Sequence, residues 1–231
     1  MRPTTCAGFT LIEIAIVLVI VGLLLGGILK VQELITGARV RNLISQQDGT
    51  KAAFFGFQDR FRALPGDFAQ ASTTIDCIPV CSNGNGNGQV TASGTAGATI
   101  DEFIAAWEHL SKAGFINGSY TYAASPETTT SAPVNPYSRY IQFVYDNVYD
   151  GSPTACHNIK TGNQVPSEIL AEVDRKIDDG SATGGEFRFS VYAGGAGGTA
   201  PVGSGTCYVA ASPFNWTTVA PRTNCGGASL L

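Results

Sequence analysis

Between positions 9 and 29 the chain has a single charged residue, Glu13, in an otherwise apolar run. At ~1.5 Å rise per residue, a helix over that stretch is about 30 Å long, the hydrocarbon thickness of a bilayer, so the pattern predicts a membrane-spanning helix. The periodicity continues past Leu29. Val31, Leu34, Ile35 and Ala38 recur at three- and four-residue steps, and Phe54, Phe57, Phe61 and Leu64 repeat the spacing. No proline follows Pro3 until Pro65. One long helix from about Phe9 to Ala63 is expected, its second half leaving the membrane and laying an aromatic face on a folded head. Leu64-Pro65-Gly66-Asp67-Phe68 then stops it, because proline disfavours helix in the residue before it and glycine invites a turn.

Beyond that stop the periods alternate. Residues 82–99 hold the repeat Asn83-Gly84-Asn85-Gly86-Asn87-Gly88, which cannot build a core and reads as an exposed loop. Ile100, Phe103, Ile104, Trp107 and Leu110 follow helical spacing with Gly114 as C-terminal cap, an amphipathic helix docking by its apolar face, with Trp107 in the core. Strand signals occur over residues 140–145 and 187–193, where Phe187, Phe189 and Val191 alternate onto one face, and a third over residues 206–210. Ser167 is placed to cap a helix from Glu168 to Ile177, ended by Gly180. Together these elements predict an α+β fold, a helix packed across an antiparallel sheet.

A carboxylate inside a membrane segment costs roughly 2.5–3.5 kcal/mol and is normally kept because something pairs with it. Ahead of the run lies the short polar segment Met1 to Gly8, carrying Arg2, and no Ala-x-Ala-like cleavage site follows. Gly8-Phe9-Thr10-Leu11-Ile12-Glu13 resembles the class III signal of type IV prepilins and type II secretion pseudopilins. The resemblance implies cleavage by prepilin peptidase between Gly8 and Phe9, N-methylation of Phe9, and a pilin-like fold in which a long N-terminal helix packs on an antiparallel β-sheet head. It also implies storage in the inner membrane with the head in the periplasm, then extraction by an assembly platform into a helical filament of pilins or pseudopilins. The freed amine is a cation at neutral pH, and Glu13 of a neighbouring helix is a suitable partner for it. Gly22 and Gly26 form a G-x-x-x-G step that favours close helix approach and weakens the helix locally. Lys30 stands where many major pilins carry a proline.

The organisation expected is therefore a leader at 1–8, a spanning and filament-core helix at 9–29, its amphipathic continuation at 30–64 and a globular head at 65–231. Roughly 165 residues remain for that head, a single-domain size. Charged residues are 14 % of the chain and the formal charge is −4. With no Lys/Arg cluster to neutralise phosphates, a nucleic-acid partner is excluded. Lys30, Arg39 and Arg41 follow the span, against the positive-inside rule, but a long folded domain translocates largely regardless of nearby charge.

Of six cysteines, Cys6 lies in the leader. The other five allow fifteen two-bridge arrangements; proximity in sequence favours Cys77–Cys81 and Cys207–Cys225, leaving Cys156. The cysteine and histidine spacing does not match a zinc site. Asp174, Asp178 and Asp179 form the densest acidic group, with calcium as the sharp reading and a solvated helix end as the bland one. His109 and His157 are the only histidines, with no G-x-S-x-G and no phosphate loop, so no cofactor and no catalysis are expected. The function expected is a structural subunit of a type IV pilus or secretion pseudopilus, with a minor or tip role for a head this large. The alternative is a membrane-anchored extracellular binding or adhesion module that does not polymerise.

Overall fold

A computed structural model describes residues 10–78 and 80–231. Helix α1 runs Leu11–Phe61, and the chain divides into two compact units, Met1–Arg39 and Val40–Leu231. The helix is long and apolar enough to cross a membrane, and none of its most apolar window is buried within the protein.

In the second unit α1 buries Val40, Leu43, Gln47, Thr50, Phe54 and Phe57, the three- and four-residue stripe of a helix with one face on a core. Two apolar clusters meet that stripe at different heights. Val40 and Leu43 belong to a cluster with Leu170, Val173, Phe187, Phe189 and Trp216. Phe54 and Phe57 belong to another, with Ile104, Trp107, Leu110, Phe143 and Ile159. The polar pair Gln47 and Thr50 lies between them on the helix.

The other helices are α2 (Ala71–Thr74), α3 (Glu102–Lys112) and α4 (Ser167–Ile177). The strands are β1 (Gln142–Asp146), β2 (Cys156–Lys160), β3 (Phe187–Phe189) and β4 (Gly227–Leu230). They form one antiparallel sheet in the order β1-β2-β4-β3, with Phe143 opposite Ile159, Ile159 opposite Ser229 and Phe187 opposite Ser229. Phe54 of α1 meets Phe143 of β1 at 4.9 Å between ring centroids, so the helix packs on the sheet as expected of this α+β fold.

Several expectations need correction. Strands β2 and β4 lie where no strand was expected. Residues 206–210 form no strand of the sheet, only isolated bridges of Tyr208 to Ser204 and Trp216. The strand expected over residues 187–193 ends at Phe189, and Val191 is exposed while Phe187 and Phe189 are fully buried. Ser167 does not cap α4: Pro166 holds that position, and the Ser167 hydroxyl donates to the Thr217 carbonyl, tying the helix start to a distant segment. Helix α3 is not amphipathic in burial, since every residue from Glu102 to Leu110 is buried. At its end Gly114 takes the left-handed φ of 82°, and Phe115 N–H reaches back to the Leu110 carbonyl at 2.9 Å, a helix-terminating turn of the kind expected.

Gly227 shows why β4 has so small a residue at its start. A Cβ there would lie 2.4 Å from the Phe187 ring, so the strand pairs with β3 only because the side chain is missing.

Candidate functional site

The first unit is simple, and its chemistry is concentrated at its start. Thr10 precedes α1, and Glu13 sits in its first turn. Glu13 Oε2 accepts both the Thr10 backbone N–H and the Thr10 hydroxyl at 2.8 Å, while Thr10 Oγ1 accepts the Glu13 N–H at 3.3 Å. This is a capping box, Thr-x-x-Glu, in which two side chains satisfy each other's orphan backbone donors. Its signature stands in the sequence as Thr10-Leu11-Ile12-Glu13, yet attention to Glu13 as an intramembrane charge missed it. The acid therefore has a structural task inside its own chain in addition to any partner on a neighbouring helix.

Along the same helix the apolar side chains face outward, Leu11 at 92 % and Leu23 at 73 % exposure. A Cβ added at Gly22 or Gly26 would meet nothing within 4 Å, so these glycines serve no packing inside this chain. They leave a smooth strip against which another helix can pack closely. Lys30 pairs with Glu33 one turn later at 2.7 Å, both side chains exposed. Gly8 and Phe9, the expected cleavage and methylation positions, lie outside the described residues.

In the second unit the sequence-singled acids Asp174, Asp178 and Asp179 do come together, with one oxygen of each within 4.8 Å of the others. Four of their six oxygens already accept N–H donors. Asp174 takes Gly180 N–H at 3.0 Å and the Trp216 indole at 2.6 Å; Asp178 Oδ2 takes Phe187 N–H at 2.7 Å and also Glu186 N–H; Asp179 Oδ1 takes Ser181 N–H at 2.8 Å. Calcium takes six to eight oxygens, and the grouped carboxylates would supply it only part of such a shell. Desolvation pushes Asp174 up to about 6 against the pull of the Trp216 and Gly180 bonds, with repulsion from Asp179 and Asp178 adding to the rise. The cluster closes the end of α4 onto the loops around it.

Helix α3 carries acids of a kind the sequence pattern did not flag. Glu102, wholly buried, accepts Asn85 N–H and Thr91 N–H, both at 3.0 Å. Glu108 accepts Ser82 N–H at 2.9 Å and Tyr122 N–H at 3.0 Å, and Asp101 accepts Ser93 N–H at 3.0 Å and Ser125 N–H at 2.9 Å. Three carboxylates thus give backbone amides of irregular chain the partners that a sheet would otherwise supply. Burial raises Glu102, with a smaller contribution from repulsion by Asp67. The Asn-Gly repeat expected as a plain exposed loop is anchored by Glu102, through Asn85 N–H, and by Asp67, through the N–H groups of Gly86, Asn87 and Gly88.

Both histidines are committed to backbone. His109 Nδ1 accepts Gly66 N–H at 2.9 Å and its Nε2 lies 2.7 Å from the Ser82 carbonyl, which assigns the proton to Nε2. Desolvation lowers its pKa, so the ring is neutral. His157 is stacked on Phe143, 5.6 Å away with planes 10° apart, and burial lowers it to about 4. Neither ring is poised as a base beside a nucleophile. Cys77 is bonded to Cys81 and Cys207 to Cys225, and Cys156 keeps its thiol, 3.5 Å from the Tyr149 hydroxyl.

Comparison with known proteins bears on the first unit. Residues 4–29 match the family model described as the prokaryotic N-terminal methylation motif, which is the class III signal of type IV pilins and pseudopilins. The matched stretch contains Gly8, Phe9, the capping box and both glycines of the G-x-x-x-G step. No curated protein and no solved structure matches the chain.

Proposed function

We propose that this chain is a structural subunit of a type IV pilus or secretion pseudopilus, cut after Gly8 by prepilin peptidase, methylated on the Phe9 amine and polymerised through α1. The observation that carries the reading is the methylation motif at residues 4–29 running directly into an apolar helix whose side chains find no cover in their own chain.

The physics of assembly follows from that arrangement. A helix of this composition rests in the inner membrane, and leaving it requires that the exposed apolar side chains be covered by copies of the same helix. A contact of one face with a different face of the next copy grows as a filament when its rotation does not close into a ring. The strip at Gly22 and Gly26 permits close approach. Glu13 sets register: one carboxylate oxygen is held by Thr10, and the Phe9 amine of a neighbouring subunit supplies the opposite charge. A subunit out of register would leave both charges unpaired in an apolar bundle. The size of the second unit favours a minor or tip position over the bulk of the fibre.

The test is the intact mass and N-terminal sequence of the native protein, from cells with and without the peptidase, together with its presence in sheared fibres. A peptidase-dependent start at N-methylated Phe9 and recovery in the fibre fraction supports the reading. A retained Met1 overturns it. Correct processing without incorporation into fibres leaves the membrane-anchored binding module.

A further inference from the structure

The chain holds four Asn-Gly pairs, beginning at Asn83, Asn85, Asn87 and Asn117. In such a pair the glycine nitrogen can attack the side-chain amide before it, and the missing Cβ leaves that nitrogen open to close approach. The fold treats the four differently. Asn83 Oδ1 accepts Ser72 N–H at 2.8 Å, while Gly84 N–H is held by the Phe68 carbonyl at 3.1 Å. Asn85 and Asn87 both donate from Nδ2 to the Ala96 carbonyl, at 3.1 and 2.7 Å, and the N–H groups of Gly86 and Gly88 are held by Asp67, each at 2.7 Å. At these three sites electrophile and nucleophile are both tied down. Among the described residues, neither the Asn117 amide nor the Gly118 N–H has a hydrogen-bond partner, and Asn117, Gly118 and Ser119 are all exposed. The stem of their turn is fixed, because Phe115 N–H reaches the Leu110 carbonyl at 2.9 Å and the Phe115 ring packs where a Cβ on Gly56 would come within 2.9 Å of it.

We propose that Asn117 is the site of spontaneous covalent modification in this protein, converting to aspartate and isoaspartate through a succinimide. The Gly118 nitrogen gives its proton to hydroxide and bonds to Asn117 Cγ. The Cγ–Nδ2 bond breaks, and Nδ2 leaves as ammonia with a proton taken from water. Water then adds to one of the two ring carbonyls. Opening at the Cγ–N bond gives aspartate; opening at the Asn117 main-chain carbonyl gives isoaspartate, in which the backbone runs through the former side chain. The only co-reactant is water, and nothing is oxidised or reduced. Either product adds a negative charge to the turn, two residues from Ser119, whose hydroxyl accepts from Lys112 Nζ at 3.1 Å.

The inference is independent of the filament reading, since a polymerising and a merely anchored subunit would both carry this turn. The full chain in detergent is aged at mildly alkaline pH and digested, and each Asn-Gly peptide is followed by mass for the exchange of NH2 for OH. Isoaspartate is counted by enzymatic methylation of its free α-carboxylate. The same protein unfolded in guanidinium is aged beside it. In the folded protein Asn117 is expected to convert about ten-fold faster than Asn85 or Asn87, the factor by which hydrogen bonds to the reacting groups hold those sites back. In guanidinium that advantage should vanish, because all four sites are then Asn-Gly in open chain. Asn117→Gln, which keeps an amide but requires a larger ring, should leave only the slow signals of the other three sites. Conversion at Asn117 no faster than at Asn85 and Asn87 in the folded protein, or the same ranking of sites with and without guanidinium, overturns the proposal.

Discussion

The carboxylate of Asp67 holds the backbone N–H of Gly86 on Oδ1 at 2.7 Å, and its other oxygen holds the N–H of Gly88 at the same distance. Asn-Gly sequences lose ammonia when the glycine nitrogen attacks the preceding side-chain amide and closes a succinimide ring. In this protein the two nitrogens that would attack Asn85 and Asn87 are both bound to one buried acid. Asp67→Ala is expected to raise deamidation at Asn87 by about ten-fold, the rate equivalent of ~1.4 kcal/mol from a lost charge-assisted hydrogen bond, and at Asn85 less, because the Asp67 carbonyl still accepts Gly86 N–H at 2.9 Å. The readout is a 1 Da mass gain in peptides aged at mildly alkaline pH. Asn83 is the internal control, because Gly84 N–H is held by the Phe68 carbonyl instead. An equal gain at all three sites would show that the loop had simply melted.

His157 and Asp174 make the pH dependence of stability a contest of opposite signs. Burial lowers His157 from 6.5 to about 4, so between those values the unfolded chain binds more protons there, and stability from this group is lost as pH falls. Burial raises Asp174 from 3.8 to about 6, so the folded chain binds more protons there, and stability from this group is lost as pH rises through that window. Relative to the parent protein, His157→Gln should become less stable with rising pH between 4 and 6, and Asp174→Asn more stable. Thermal midpoints at pH 4.5, 5.25 and 6 measure both slopes, and parallel profiles for all three proteins would refute the assignment.

Lys160 is 2 % exposed and pairs with Asp146 across β1 and β2. Burial lowers the Lys160 pKa while Asp146 pulls it back up, so the charge depends on its partner. Removing the acid strands a buried cation, whereas removing the lysine leaves an acid that is 22 % exposed and still accepts Asn158 Nδ2–H at 3.0 Å. Asp146→Ala should therefore cost ~3–5 kcal/mol in urea unfolding and Lys160→Met distinctly less. Equal losses would mean that solvent reaches the pair.

The capping box is separable from any role of Glu13 between subunits. Thr10→Ala removes both bonds of the Thr10 hydroxyl, leaving only the Thr10 N–H bond to Glu13, and should cost about 1 kcal/mol of local helix stability, whereas Thr10→Ser keeps them. Hydrogen exchange at the first amides of α1 in detergent should quicken about five-fold in the alanine variant alone, the rate equivalent of ~1 kcal/mol. Unchanged exchange would show that the Thr10 hydroxyl does not hold the helix start.

The linear order of residues was enough to establish the membrane-grade helix, the methylation signal, the stop at Pro65 and the existence of α3 and α4. These depend on contacts within a few residues, and a helical period, a charge in an apolar run or a proline is a local quantity. The core strands Phe187 and Phe189 were legible for the same reason. Strands β2 and β4 were not. Cys156-His157-Asn158-Ile159-Lys160 and Gly227-Ala228-Ser229-Leu230 have little strand preference of their own, and their extended form comes from pairing with β1, with β3 and with each other. The buried acids belong to the same class. Read in sequence, Asp67, Glu102 and Glu108 are surface charges, and only folding brings to each the amides of chain 11 to 26 residues away that make its burial tolerable.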